Sequence, residues 1–391
     1  MTDSERPEYQ PLLPAAELHR YLLGWYDGVK RDMPWRGATD PYAIWLSETM
    51  LQQTQVEAVK PYYARFLARF PTLQALAEAE LEDVLSLWAG LGYYRRAKHL
   101  HQAARAVVES HGGALPATVE GLMRLPGVGR YTAGAVASIA FGVAAPVVDG
   151  NVMRVLARIT GYDKDIGEAR NQPFFWKVAG EVVAATEDGR YGDVNQSLME
   201  LGATVCTPPP SRPACLLCPV KGFCRAYAEG RQLELPVKGK KAAVPVVRGT
   251  AVVLLRENAS GREVLMMRRP MGCVWEGMWE VPVVGNAKGD ARNAKQRREG
   301  WYAMVQEALG VAVGEVKGCG EVRHGLTHRA MRIEVVRGVM AGGKVVLPEC
   351  ATAGGKRYEQ WRWVPWPLEV RGALPMARLV EKVAEAAVIS S

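Results

Sequence analysis

"LPGVGRYTAGAVASIAF", residues 125–141, decides how the first half of the chain is read. Pro126, Gly127 and Gly129 mark a tight turn, and the apolar run after Tyr131 has helical spacing. A helical run also precedes the turn. Glycines placed there let backbone N–H groups and the following helix N-terminus approach a phosphate with no Cβ in the way. Arg124 and Arg130 flank the turn. A plain packing loop between two helices would look the same, so both readings stand at this point.

Two carboxylates sharpen the choice. Asp149, in "VVDGNV", sits in an apolar context just before another helical run. On its own it could be no more than an N-cap. Glu48, in "YAIWLSETMLQQTQV", lies on an otherwise apolar helix, where an unpaired carboxylate is costly. A phosphate-gripping turn with two carboxylates from distant segments suggests glycosidic-bond chemistry. One carboxylic acid would protonate a leaving group and the other carboxylate would stabilise an oxocarbenium ion.

Around this centre the pattern is helical from residue 10 to about 228, punctuated by Pro and Gly. Pro71 and Thr72 open one helix, and Gly112-Gly113 close another. "LELPVKGKKAAVPVV", residues 233–247, reads as a linker. Beyond it the period changes to two. "GTAVVLLRE", "REVLMMRR", "RIEVVRGVM" and "KRYEQWRWV" read as strands, with helices near 297–309 and 375–388. The expectation is an all-α domain over 1–232, a linker over 233–246 and an α+β domain over 247–391.

With 391 residues, 48% of them hydrophobic and 23% charged, the chain can build two ordinary cores. The net charge of +8 is uneven. Residues 1–230 carry 23 basic against 25 acidic residues, while 231–391 carry 26 against 16. Net charge therefore says only that the second half could meet a polyanion, and a basic but inert surface fits it equally. No apolar stretch is long enough to span a membrane, and MTDSERPEYQ does not resemble a secretory signal. A cytoplasmic protein without membrane contact is expected.

Four of the seven cysteines cluster as Cys206-x8-Cys215-x2-Cys218-x5-Cys224. Such spacing in a cytosolic protein indicates metal ligands rather than disulfides. Four thiolates suit either zinc or a [4Fe–4S] cluster. The absence of a second C-x2-C knuckle tilts the choice toward iron–sulfur. Lys221 and Arg225 flank the cluster.

Taken in order, "PWRGATDPYAIWLSETMLQQTQVEAV", "LWAGLGYYRRAKHLH", "LPGVGRYTAGAVASIAF", "VVDGNVMRVLAR", "LMELGATVCT" and the cysteines resemble the MutY-type adenine DNA glycosylases. These are helix-hairpin-helix enzymes with a [4Fe–4S] cluster. The resemblance runs from about residue 18 to the end. The rival within the superfamily, the endonuclease III-type glycosylase–lyase, has a lysine where this chain has Tyr131. A tyrosine cannot form the Schiff base that leads to strand cleavage. The resemblance therefore implies a monofunctional enzyme acting on adenine opposite 8-oxoguanine or guanine in double-stranded DNA.

The same resemblance implies roles for individual residues. Glu48 is the general acid, and Asp149 stabilises the sugar cation with support from Asn151 and Tyr131. Arg31, Met33, Trp35 and Glu200 shape the pocket for a base flipped from the duplex. Gln53, Thr54, Leu91 and Tyr93 fill or brace the opened stack. Leu125, Gly127 and Gly129 hold the DNA phosphate. Cys206, Cys215, Cys218 and Cys224 bind the cluster, although six residues, not eight, usually separate the first two. The second half resembles the family's Nudix-like lesion-reading domain through "MMRRPMGCVWEGMWEVP". "YAMVQEALGV" retains only Glu307 of the magnesium-binding glutamates, so a reader rather than a pyrophosphatase is expected. Leu326, Thr327 and His328 stand where the family has Phe-Ser-His, which assigns Thr327 and His328 to the lesion. The family analogy implies a monomer. Arg95, Arg96 and Lys98 read as a phosphate-facing patch or a plain surface run.

Overall fold

A computed structural model of the chain describes residues 14–239, 243–259, 261–285, 294–368 and 374–389. Residues 240–242 of the stretch read as linker lie outside these. Two compact units are present: residues 1–78 with 99–241, and residues 79–98 with 242–391. The family of short helices in the first half is thus not wholly in one unit, because residues 79–98 cluster with the second.

The helices run α1 (Ala15–Val29), α2 (Pro41–Leu51), α3 (Val56–Arg69), α4 (Leu73–Glu78), α5 (Leu81–Trp88), α6 (Arg95–His111), α7 (Val119–Met123), α8 (Arg130–Ala140), α9 (Gly150–Thr160), α10 (Gln172–Ala184), α11 (Tyr191–Thr204) and α12 (Arg225–Ala228). Local chemistry sets their ends. Asp40 caps α2 by accepting from the Tyr42 N–H, with Pro41 at the first helical position. The Thr72 hydroxyl accepts from the Ala75 N–H at the start of α4, and Gly112 and Gly113 both take positive φ after α6.

The core of the first unit joins α1, α9, α10 and α11 through Leu18, Leu22, Val155, Leu156, Phe175, Val182 and Leu198. Glycines let helices meet closely where the site will form. A Cβ on Gly134 would lie 2.4 Å from the Pro146 carbonyl oxygen, and one on Gly202 would lie 2.7 Å from Asn151 Cβ. The C-terminal half of α11 thus rests directly on the first turn of α9. Of the stretch read as linker, Leu235 is fully buried, and the Val237 carbonyl and Gly239 N–H bond to Ile166 and Asp165.

The second unit is built on one mixed sheet. Its strands are β1 (Val246–Asn258), β2 (Gly261–Arg268), β3 (Trp279–Glu280), β4 (Val283–Val284), β5 (Val311–Leu326), β6 (Arg329–Gly343) and β7 (Gln360–Pro365). The order is β3-β2-β1-β6-β5, with β4 on β1 and β7 on β2; β1 and β6 are parallel and the other pairs antiparallel. Helix α13 (Ala294–Leu309) covers one face and α14 (Arg378–Ile389) the other. Ala251, Val253 and Leu255 pack with Leu379 and Val383, while Val252 and Leu254 pack with Val305 and Leu309. Coverage of both faces explains why "AVVLL" is continuously apolar instead of alternating.

The sixteen-residue β5 has no counterpart among the strands expected from the sequence. Its glycines conceal it. Gly318 is required because a Cβ there would lie 2.3 Å from the Trp301 ring, so the indole of α13 lies directly on the strand backbone.

Candidate active site

Helix α2 is buried on every side, from Tyr42 to Met50 without a break. Glu48 therefore has no solvent-facing position available. Tyr131, in the first turn of α8, donates its hydroxyl proton to Glu48 Oε2 at 3.0 Å. Burial dominates the carboxyl, pushing its pKa up to about 7; the nearby Asp149 charge adds to this, while the Tyr131 bond and Arg36 oppose it. The Met199 Sδ lies 3.4 Å from the same tyrosine hydroxyl.

Asp149 is both a helix cap and a site residue. Its Oδ1 accepts from the Val152 N–H at 2.7 Å, and its Oδ2 accepts from Asn151 Nδ2 at 3.2 Å. Burial raises its pKa, against the pull of those hydrogen bonds and of Arg154. Asn151 is fixed in turn, since Arg154 donates to its Oδ1 at 2.7 Å and to the Gly202 and Cys206 carbonyls at 2.8 Å. The two carboxyls thus sit in contrasting surroundings. One is deeply buried with a single neutral donor; the other accepts from the Val152 N–H and Asn151 Nδ2, with the Arg154 charge nearby. Such a split suits an acid paired with a stabilising carboxylate.

The predicted pocket residues sort as follows. Arg31 donates to Glu200 through Nε at 2.5 Å, and Arg36 donates to Glu200 Oε2 at 3.0 Å. These bonds outweigh burial and hold the Glu200 carboxyl below its usual value. Arg36 also donates to the Arg31 carbonyl at 2.7 Å. Met33 and Trp35 are buried, with the Trp35 ring set edge-on to Tyr63. Gln53 and Thr54 follow the end of α2, where Gln53 takes φ of 58° and Thr54 bonds to the Gln52 carbonyl. Gln52 itself donates to Thr132 Oγ1 at 2.9 Å. Sequence reasoning missed Arg36, Met199 and Arg154 as site residues.

In the hairpin between α7 and α8, Gly127 has φ of 73° and no room for a side chain, because a Cβ would fall 2.3 Å from His99 Cβ. Gly129 caps α8 and faces open space. The exposed Arg130 stacks over Trp176 at 4.0 Å. Leu125 turns its side chain into the core, so only its backbone remains for a phosphate.

Leu91, Tyr93, Thr327 and His328 belong to the second unit. Leu91 is buried, whereas Tyr93 is exposed with φ of 51°. Thr327 and His328 form the two-residue tip of the β5–β6 hairpin, between the paired Leu326 and Arg329. The hydroxyls of Tyr93 and Thr327 meet at 3.0 Å. The patch read at Arg95, Arg96 and Lys98 is corrected: only Arg95 is exposed. Arg96 is packed over Trp88 and Tyr93, and Lys98 is buried in an ion pair with Glu276 at 2.8 Å.

The four clustered cysteines line one cavity with Val155, Arg158 and Leu201. Burial, with the neighbouring thiols adding, pushes Cys218 up to about 12 and Cys224 up to about 11. Among the described residues, no group of three or more His, Cys, Asp or Glu side chains could hold a single metal ion.

Two family models match the chain: the HhH-GPD superfamily base excision DNA repair protein over residues 46–179, and the NUDIX domain over 251–386. The adenine DNA glycosylase of Rattus norvegicus is 37% identical over 404 residues, covering 90% of this chain and 76% of the rat protein. The chain belongs to the adenine DNA glycosylase family. The human adenine DNA glycosylase is 38% identical over 364 residues, and there the match covers 80% of this chain but only 65% of the human protein. Among solved structures, a thermostable thymine-DNA glycosylase is similar with a TM-score of 0.48 and 28% identity, over 55% of this chain and 97% of that one. Within this adenine DNA glycosylase family member, the helix-hairpin-helix match contains Glu48, Tyr131, Asp149 and Asn151, whereas Arg31, Glu200 and the cysteines lie outside it.

Proposed function

We propose that this chain is a monofunctional DNA glycosylase that removes adenine mispaired with 8-oxoguanine or guanine in double-stranded DNA. The observation that carries this reading is Glu48, a buried carboxyl that burial pushes up to about 7, so that it still holds its proton near neutrality. Protonated Glu48 gives its proton to a ring nitrogen of the flipped adenine. The C1′–N9 bond breaks, and its electron pair leaves with the base. The half-buried Asp149 carboxylate, held by Asn151 and the α9 N-terminus, stabilises the sugar cation. Water then adds at C1′ and its proton returns to Glu48. Tyr131 orients Glu48 and supplies no amine, so the strand stays intact.

Four thiols lining one cavity supply the donor set of a [4Fe–4S] cluster, the cofactor that the family resemblance favours. When bound, the cluster would brace the loop from Cys206 to Cys224. The second unit would read the opposite base through Thr327 and His328, with Tyr93 beside them. Helix α13 carries only Glu299 and Glu307 as acidic residues, which does not favour magnesium-dependent hydrolysis. The protein is taken to act as a monomer in the cytoplasm.

The decisive experiment is single-turnover excision from a labelled duplex holding adenine opposite 8-oxoguanine, with and without hot alkali. Cleavage only after alkali is expected. Nicking before alkali would support the glycosylase–lyase alternative and end the reading of Tyr131.

A further inference from the structure

Arg158 stands in the last turn of α9 and is 2% exposed. A guanidinium so deeply buried is costly unless it is paired with anions or fully hydrogen-bonded. Its Nε donates to the Leu235 carbonyl at 2.8 Å, and its Nη1 donates to the Thr207 carbonyl at 3.0 Å. Nη1 also reaches Cys206 Sγ at 3.2 Å. The Arg158 backbone carbonyl accepts from Cys224 Sγ at 3.3 Å. The residue thus touches the first and the last of the four clustered cysteines. Its Nη2 is buried with no protein partner, and the side chain lines the cysteine cavity. No acidic side chain among the described residues pairs with it in an ion pair.

These observations describe a cation waiting for an anion. Four thiolates around an iron–sulfur core make that anion, and hydrogen bonds to sulfur together with local charge set the potential of such a group. We propose that Arg158 is the cofactor's counter-cation and hydrogen-bond donor, which holds Cys206 as a ligand and keeps the cluster from being oxidised. The inference rests on the cluster reading given above.

Removing the positive charge disfavours the more negative, reduced form of the cluster, so oxidation becomes easier. The test begins with iron and sulfide analysis of the wild-type full chain; zinc, or no metal, would refute the cluster reading itself. Arg158→Met and Arg158→Lys are then compared with wild type by metal content, by reduction potential and by the rate at which hydrogen peroxide bleaches the cluster's visible absorption. Arg158→Met is expected to bleach severalfold faster at a lowered potential. Arg158→Lys keeps the charge but loses the fork, so it should fall between the two. Wild-type bleaching and potential in Arg158→Met would overturn the proposal. If the methionine variant does not fold, Arg158→Gln, which keeps N–H donors but loses the charge, takes its place, and wild-type potential and bleaching rate there overturn the proposal equally.

Discussion

Each unit buries a glutamate against a tyrosine hydroxyl, and the two pairs do opposite things. In the first unit Glu48 accepts from Tyr131 and has no direct cation; burial lifts it to about 7. In the second unit Glu280 accepts from Tyr358 at 2.6 Å but is also paired with Arg269, which further donates to Thr352 at 2.7 Å. Burial lifts the Tyr358 hydroxyl well above its ordinary value, and Arg269, facing Glu280, is held above its own. The residue types are shared and the chemistry is not. A carboxyl denied a cation becomes a proton donor near neutrality, while one given an arginine becomes a fixed strut.

The contrast can be broken most sharply by Glu48→Gln. Excision should fall by roughly 10²–10⁴-fold, the range for a lost general acid, while binding to the mispaired duplex persists. Single-turnover kinetics beside a binding titration would show it; unchanged turnover would remove Glu48 from the chemistry. Conversely, Glu280→Ala should leave the excision rate nearly intact but destabilise the fold by about 3–5 kcal/mol, because it strands Arg269 in the core. Urea unfolding of the full chain measures this. A loss of rate at full stability would erase the distinction between the two pairs.

A pH series sharpens it further. Glu48 is raised in the fold from 4.5 to about 7, so its protonated form favours folding below 4.5 and that advantage is lost as pH rises through 7. Glu48→Gln should therefore match wild-type stability in acid and exceed it by up to about 3 kcal/mol above pH 7. Excision by the wild type should decline over the same upper range. Tyr131→Phe removes a bond that favours the carboxylate, so the alkaline limb should move to higher pH; a shift to lower pH would contradict the assigned donor. The smallest effect is expected from Thr327→Val. The lost bond to the exposed Tyr93 is worth about 1 kcal/mol or less to stability. A much larger loss in affinity for an 8-oxoguanine duplex would then assign the hydroxyl to the lesion.

Charge in an apolar setting is what made the centre of the site legible. Glu48 and Asp149 interrupt hydrophobic runs, and Gly127 of the hairpin marks a backbone with no room for a side chain. Arg36, Met199 and Arg154 carry no such contrast. Arg36 meets Glu200 across 164 residues, and nothing local records that pairing. Tyr93 and Tyr94 are adjacent and alike in sequence, yet one is exposed and the other buried, since positive φ at Tyr93 turns the pair apart. The architecture of the second half was readable wherever strands were branched and apolar. It failed at β5, where Gly318 serves the Trp301 ring and not a turn.

Asp149 has a consequence for what mutation can achieve at this position. Helix capping alone would accept asparagine, serine or threonine. A cation-stabilising carboxylate alone would accept any side chain that delivers the charge. Only aspartate satisfies both demands with so short a reach, so the site has no neutral neighbours in sequence space. Asp149→Asn would yield a protein that folds, binds and stalls, and Asp149→Ala one that also loosens the helix carrying Asn151, Arg154 and Arg158. Two variants at one codon would thus separate a defect of chemistry from a defect of assembly.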